Sequence, residues 1–256
     1  MNKSALSWML LPSKPIIHRG RINQACPEHG RSSFQLCIEQ GYPMEVDLLM
    51  LKDRQIVVWR DEVVNTRENL LLSSLSLSEV RTIIQNDPNS HLNQMMTLKE
   101  FISLVDGKVG VIFEIKVPYE SSPKATVDSV LSVINGYHGD FAIHSSNPYV
   151  IQMIRAIIPD IPLGQISLSF SRIPNVNPEY VKLHREFRFT DIAMADFLNY
   201  DIRDLAEKNI REQVHAFCNE HHLPLLSWTI KSAAEEQLAK TLCENYIIEG
   251  TTSYMA

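Results

Sequence analysis

The chain has 256 residues, 45% hydrophobic and 21% charged, with a formal net charge of −6 and a pI near 5.8. That length suits one α/β domain with a full core. The acidic balance excludes the broad basic face that nucleic-acid binding requires, while carboxylate sites for calcium or magnesium are compatible with it.

The apolar run from Ala5 to Leu11 is short and leads at once into a predicted strand over 15–18, so it reads as structural and not as a signal. No stretch approaches the length of a membrane span. The cysteines (Cys26, Cys37, Cys218 and Cys243) form no CxxC pair, which argues against a disulfide framework and a zinc knuckle. A cytoplasmic protein with reduced thiols is expected.

Further strands are expected over 44–48, 56–59, 111–116, 141–144, 163–166, 190–193, 225–229 and 246–248. Ser76-Leu77-Ser78-Glu79 has capping-box spacing before a helix over 80–85, and Thr97-Leu98-Lys99-Glu100 opens another through 105. Residues 231–242 have helical composition. Short strands alternating with helices predict βα units and a parallel sheet. Roughly eight such units in this length predict a TIM (β/α)8 barrel, a single domain over 1–256. In that fold chemistry gathers where strands end, so polar residues at the C-terminal ends of strands are the candidates.

Four strand ends carry them: Ile16-Ile17-His18-Arg19-Gly20, Glu45-Val46-Asp47, Trp59-Arg60-Asp61 and Phe113-Glu114-Ile115-Lys116. Glu45 and Asp47 are two apart and face one side of a strand, with aliphatics on the other; Glu114 and Lys116 repeat the arrangement. Buried carboxylates are costly unless paired or bound to metal. Glu45, Asp47 and Glu114 could hold a hard divalent cation, Lys116 and Arg19 phosphate oxygens, and His18 a transferable proton. His144, before Ser145-Ser146-Asn147, is a further candidate contact.

The ordered set His18-Arg19-Gly20, Pro27-Glu28, Glu45-Val46-Asp47, Asp61, Glu114-Ile115-Lys116 and Ser227-Trp228-Thr229 resembles the glycerophosphodiester phosphodiesterase family, whose pattern runs HRG, PEN, ExD, HD, ExK and WT. The likeness extends from about His18 to Glu249. It implies a TIM barrel, a divalent calcium or magnesium ion, and hydrolysis of a glycerophosphodiester to glycerol phosphate and an alcohol. It also implies metal ligation by Glu45, Asp47 and Glu114, proton transfer by His18, and phosphate binding by Arg19 and Lys116. Glu28 would support Arg19 or the substrate, and Trp228 would line the pocket.

The sequence departs from the pattern at the mouth. Arg60 stands where the HD motif has its second acid/base histidine, His29 where PEN has asparagine, and the last strand runs Asn245-Tyr246-Ile247-Ile248-Glu249-Gly250. Arginine stays protonated and cannot act as a general base, but it can stabilise phosphate charge. Three readings follow: a hydrolase of a glycerophosphodiester or sugar phosphodiester with a modified acid/base site, a phosphodiester-forming transferase, or a barrel that binds a phosphorylated ligand without turnover. Arg60 would belong to the catalytic set in the first, and His29 would contact substrate. The expected partner is a small phosphodiester, not nucleic acid or membrane.

Overall fold

The computed structural model describes residues 6–11, 13–20, 23, 26–64, 70–87, 90–118, 121–170 and 178–249. Ten strands lie among them: β1 (Ile16–His18), β2 (Met44–Met50), β3 (Ile56–Val58), β4 (Met96–Thr97), β5 (Val111–Ile115), β6 (Phe141–Ser145), β7 (Leu163–Ser167), β8 (Phe197–Asp201), β9 (Leu225–Ile230) and β10 (Asn245–Ile248). Eight are parallel in the order β1-β10-β9-β8-β7-β6-β5-β2, and β1 pairs with β2 to close the ring. This is the (β/α)8 barrel expected from the sequence. The short β3 and β4 add antiparallel to the end of β2, so Arg60 approaches the mouth from an appendage and not from a barrel strand.

Two layers of side chains fill the assembly for different reasons. Outward-facing aliphatics of the strands pack under the surrounding helices. Phe101, on the helix Leu98–Val105, meets Phe34 edge-on at 4.7 Å and Phe113 at 6.2 Å. Inside the barrel, Ile16, Ile112, Ala142, Phe197, Leu226 and Ile247 form an apolar floor, closed from below by Leu6 and Met9. Asn245 donates to the carbonyls of Met9 and Lys14 at 2.8 and 3.1 Å, fixing that N-terminal segment to β10. Above this floor the interior turns polar.

Both capping boxes form, with Ser76 and Thr97 each bonded reciprocally to the glutamate three residues on. One predicted element is wrong: Thr190–Ala193 is a short helix, and the strand is Phe197–Asp201. Asn199 and Asp201 are poor strand formers, so composition hid this segment. Both are buried in the barrel interior, where hydrogen bonding and not propensity decides. Gly250, part of the predicted final segment, lies outside the described residues.

Phe101→Ala should cost about 3–5 kcal/mol of stability, because a fully buried ring joining two helices and β5 leaves a cavity. Urea denaturation checks it, and a loss under about 1 kcal/mol would mean that the outer layer is not packed as described.

Candidate active site

The strand register sets the site. His18 lies beside Glu45, and Asp47, Glu114 and His144 stand in one row across β2, β5 and β6. After β1 the chain turns sharply, with Arg19 and Gly20 both left-handed at φ 57° and 71°. A Cβ on Gly20 would fall 2.4 Å from the ring of Phe34, so that corner needs glycine. The turn brings Arg19 back over β2, where its amide donates to the Glu45 carbonyl at 2.8 Å.

Asp47 is completely buried and ringed by nitrogen groups. Arg19 Nε lies 2.8 Å from Oδ2, Lys116 Nζ 3.0 Å from Oδ1, and His29 Nε2 3.3 Å from Oδ2. Burial alone would raise its pKa, but Lys116, His29 and Arg19 outweigh burial and hold the carboxyl well below the usual range. Lys116 also pairs with Glu114, and despite burial these two carboxylates keep it protonated. Arg19 reaches Glu28 at 3.1 Å.

Glu45 contrasts with Asp47. It is 1% exposed, and neither oxygen has a hydrogen-bond partner. Its nearest nitrogens are His144 Nε2 at 3.6 Å and His18 Nε2 at 3.9 Å. Burial, then the Asp47 charge, push its pKa up to about 7. Glu114 is raised as well, first by burial and then by Asp47 and Glu45. Burial lowers His144 to about 4, so its imidazole is neutral near pH 7. On the other side of His18, Glu249 Oε1 lies 3.7 Å from Nδ1 and 3.2 Å from Lys231 Nζ. The neighbouring His18, opposed by burial and helped by Lys231, draws Glu249 down to about 2.

These groups open into a cleft of about 480 Å³ at the C-terminal ends of the strands. His18, Arg19, Glu45, Glu114, Lys116 and His144 line one wall; Trp228 and an apolar strip of Ile166, Leu168 and Phe170 line the other. That strip went unread in the sequence, because apolar residues at the end of β7 and just past it look like ordinary core. Arg60 is exposed at the rim, has no ion pair among the described residues, and also borders a second cleft of about 400 Å³ with Glu28, His29 and Trp59. His29 is 1% exposed and stands behind Asp47, so the structure gives it a supporting position there. A larger cavity, about 610 Å³, lies at the opposite end near Leu6, Arg155 and Asp196. Arg155 and Asp196 there are paired with each other, and no metal-binding set converges there among the described residues.

A divalent cation fits the chemistry of this donor set. The atoms that converge within 4.8 Å of one another come from Glu45, Glu114 and His144, and the orphaned Glu45 oxygens are the kind of buried charge that an ion satisfies. Asp47 lies outside that convergent group, with both oxygens facing nitrogen donors.

Comparison with known proteins agrees with this geometry. Residues 18–248 match the model of the glycerophosphoryl diester phosphodiesterase family. YhdW of Bacillus subtilis, assigned as a glycerophosphodiester phosphodiesterase, is 24% identical over 236 residues, 87% of this chain and 89% of its own. An Oleispira antarctica phosphodiesterase solved with its product sn-glycerol-3-phosphate superposes with a TM-score of 0.73 at 18% identity, over 96% of this chain and 95% of its own. The glycerophosphodiester phosphodiesterase of Thermotoga maritima gives 0.67 at 16% identity, over 92% and 93%.

The buried carboxylates carry a pH signature. The folded metal-free protein keeps a proton on Glu45 up to about pH 7, whereas the unfolded chain releases it near 4.5. The folded state therefore binds more protons in that window, and this site's contribution to stability falls as pH rises through it. Metal-free Glu45→Gln should show a flatter fall and be the more stable of the two above pH 7. Thermal melts across this range test it, and equal slopes in both proteins would disprove the unsatisfied Glu45 charge.

Proposed function

The chain belongs to the glycerophosphoryl diester phosphodiesterase family, a family of phosphoric diester hydrolases, and on that premise we propose that it cleaves a glycerophosphodiester or a related sugar phosphodiester in the cleft beneath Arg60. The observation that carries this reading is the buried Glu45, left without a hydrogen-bond partner beside His18 and the fixed cations Arg19 and Lys116.

In this reading Glu45 and Glu114 hold a divalent cation, and Asp47 holds Arg19 and Lys116 in place and borders the ion. Carboxylates alone would suit calcium or magnesium. The ion supplies Lewis-acid stabilisation of the phosphoryl oxygens. Lys116 and Arg19, their charges fixed by Asp47, face the same oxygens as negative charge builds in the transition state. His18 moves the proton. Water adds to phosphorus, the bond to the alcohol oxygen breaks, and the proton that water gives up ends on the departing alkoxide. Glu249 lies 3.7 Å from His18 Nδ1, on the side of the ring away from Glu45, and Nε2 faces Glu45 at 3.9 Å. Trp228 and the apolar strip offer a surface for the carbon skeleton.

Arg60 cannot share in proton transfer. It binds anionic oxygen at the rim, and a substrate with a good leaving group, or one whose own hydroxyl attacks phosphorus, needs the missing histidine least. Binding without turnover is the second reading, favoured by that same exposed, unpaired cation.

Release of glycerol phosphate from a panel of glycerol and sugar phosphodiesters, with a divalent cation added, distinguishes them. Turnover should vanish on chelation and in Glu45→Ala, and His18→Ala should lower kcat by about 10²–10⁴. Arg60→Ala should raise KM more than it lowers kcat. Bound metal with no turnover on any diester, and turnover created by Arg60→His, would establish the binding module instead.

A further inference from the structure

We infer that His144 is the third protein ligand of the metal centre, so that the site is a two-carboxylate, one-imidazole centre tuned to a divalent transition ion and not to calcium or magnesium. This rests on the proposed function for the existence of the centre and goes beyond it in naming the ligand and the class of ion.

His144 is 1% exposed and lies in the wall of the cleft beside Glu45 and Glu114. Its Nε2 has no hydrogen-bond partner, although it lies 3.6 Å from Glu45 Oε1. That distance is too long for a hydrogen bond, but it is what two donors reach when each is about 2 Å from one shared ion. Glu114 contributes an atom to the same group, all three within 4.8 Å. Three buried or half-buried side chains, two with unpartnered atoms, thus aim into one volume.

The far side of the ring is equipped for ligation. Asn199, on β8, is 1% exposed and places its amide 3.4 Å from His144 Nδ1. With nitrogen nearest the ring, as drawn, the Asn199 oxygen has no partner. Oxygen and nitrogen of an amide are assigned from the hydrogen-bond network, and turning the group over places the oxygen at Nδ1. The imidazole then donates Nδ1–H to Asn199 and presents the Nε2 lone pair to Glu45 and Glu114. One rotation satisfies the orphaned oxygen and sets the tautomer that a metal needs, the outer-sphere arrangement typical of ligating histidines. Gly164, the register partner of His144, leaves the space that the Phe197 ring occupies under the imidazole, 6.5 Å from it. The ring is therefore supported below and oriented behind.

Imidazole suits zinc, iron, cobalt and nickel, whereas calcium and magnesium prefer oxygen throughout. Asp47, the carboxylate that would make an all-oxygen site, already faces Arg19, Lys116 and His29.

The test uses the intact chain, freed of metal, with Co2+ and Mg2+ as probes in equilibrium dialysis. His144→Gln should lose Co2+ affinity by at least the roughly 10–100-fold that removing an outer partner alone costs, while Mg2+ affinity changes much less; Asn199→Ala should weaken Co2+ in the same direction by about tenfold. Pulsed EPR of the wild type loaded with Mn2+ should show coupling to one directly ligated nitrogen, a readout that needs no variant to fold. Absent nitrogen coupling, or Co2+ affinity unchanged in His144→Gln, overturns the ligand assignment and leaves the carboxylate centre standing. A wild type that binds neither Co2+ nor Mg2+ overturns both.

Discussion

The ion cage around Asp47 is the constraint on which the rest of the site depends. A carboxylate with no solvent contact is tolerable only because three nitrogen groups surround it, and each of those groups is fixed in return. Arg19 is turned back by a left-handed corner, Lys116 leaves the end of β5, and His29 holds a left-handed position whose amide donates to the Arg19 carbonyl at 3.0 Å. Removing one partner would strand buried charge, which typically costs about 3–5 kcal/mol. The arrangement thus holds two cations at the cleft wall before any substrate arrives, the preorganisation that electrostatic catalysis requires.

That cage also divides labour between two carboxylates that look equivalent in sequence. Glu45 and Asp47 face the same way from one strand, yet nearly all the local positive charge is spent on Asp47. Glu45 is left facing His18, His144 and Glu114, with the cost of burial unrelieved. A divalent ion bound there would relieve it and at the same time reverse the field that an anionic diester meets. On the proposed function, cation and substrate binding would therefore be linked: the ion would lower the repulsion by Glu45 and Glu114 that the phosphate would otherwise face.

Much of this could be read from the chain. Period-two spacing exposed Glu45/Asp47 and Glu114/Lys116, because acids on one strand face are conspicuous against aliphatics on the other. Capping boxes marked two helices for equally local reasons. What escaped depended on relations between strands. The partition of charge between Glu45 and Asp47 follows from where Arg19 folds back, and no spacing encodes that. The strand Phe197–Asp201 was obscured by Asn199 and Asp201, residues that disfavour strands in general yet are accommodated in a polar barrel interior. His144 was visible at a strand end, but its neighbour Asn199, 3.4 Å from the ring, comes 55 residues later.

Arg60 shows why the missing histidine changes the balance of the reaction and not only its speed. A guanidinium carries the same charge in free enzyme, bound complex and transition state. An exposed one at the rim contacts the diester before and during bond breaking alike, and uniform binding of that kind lowers KM without lowering the barrier from the bound state. On the proposed function, the barrier would then be left to the groups that act as charge and protons move: the preorganised Arg19 and Lys116, the ion, and His18 between Glu45 and Glu249. With one proton-transfer group in place of two, the leaving alcohol must depart with less help. On the proposed function, the demand would pass to the substrate, and the site would select for diesters whose alkoxide is already stable or whose own hydroxyl performs the attack.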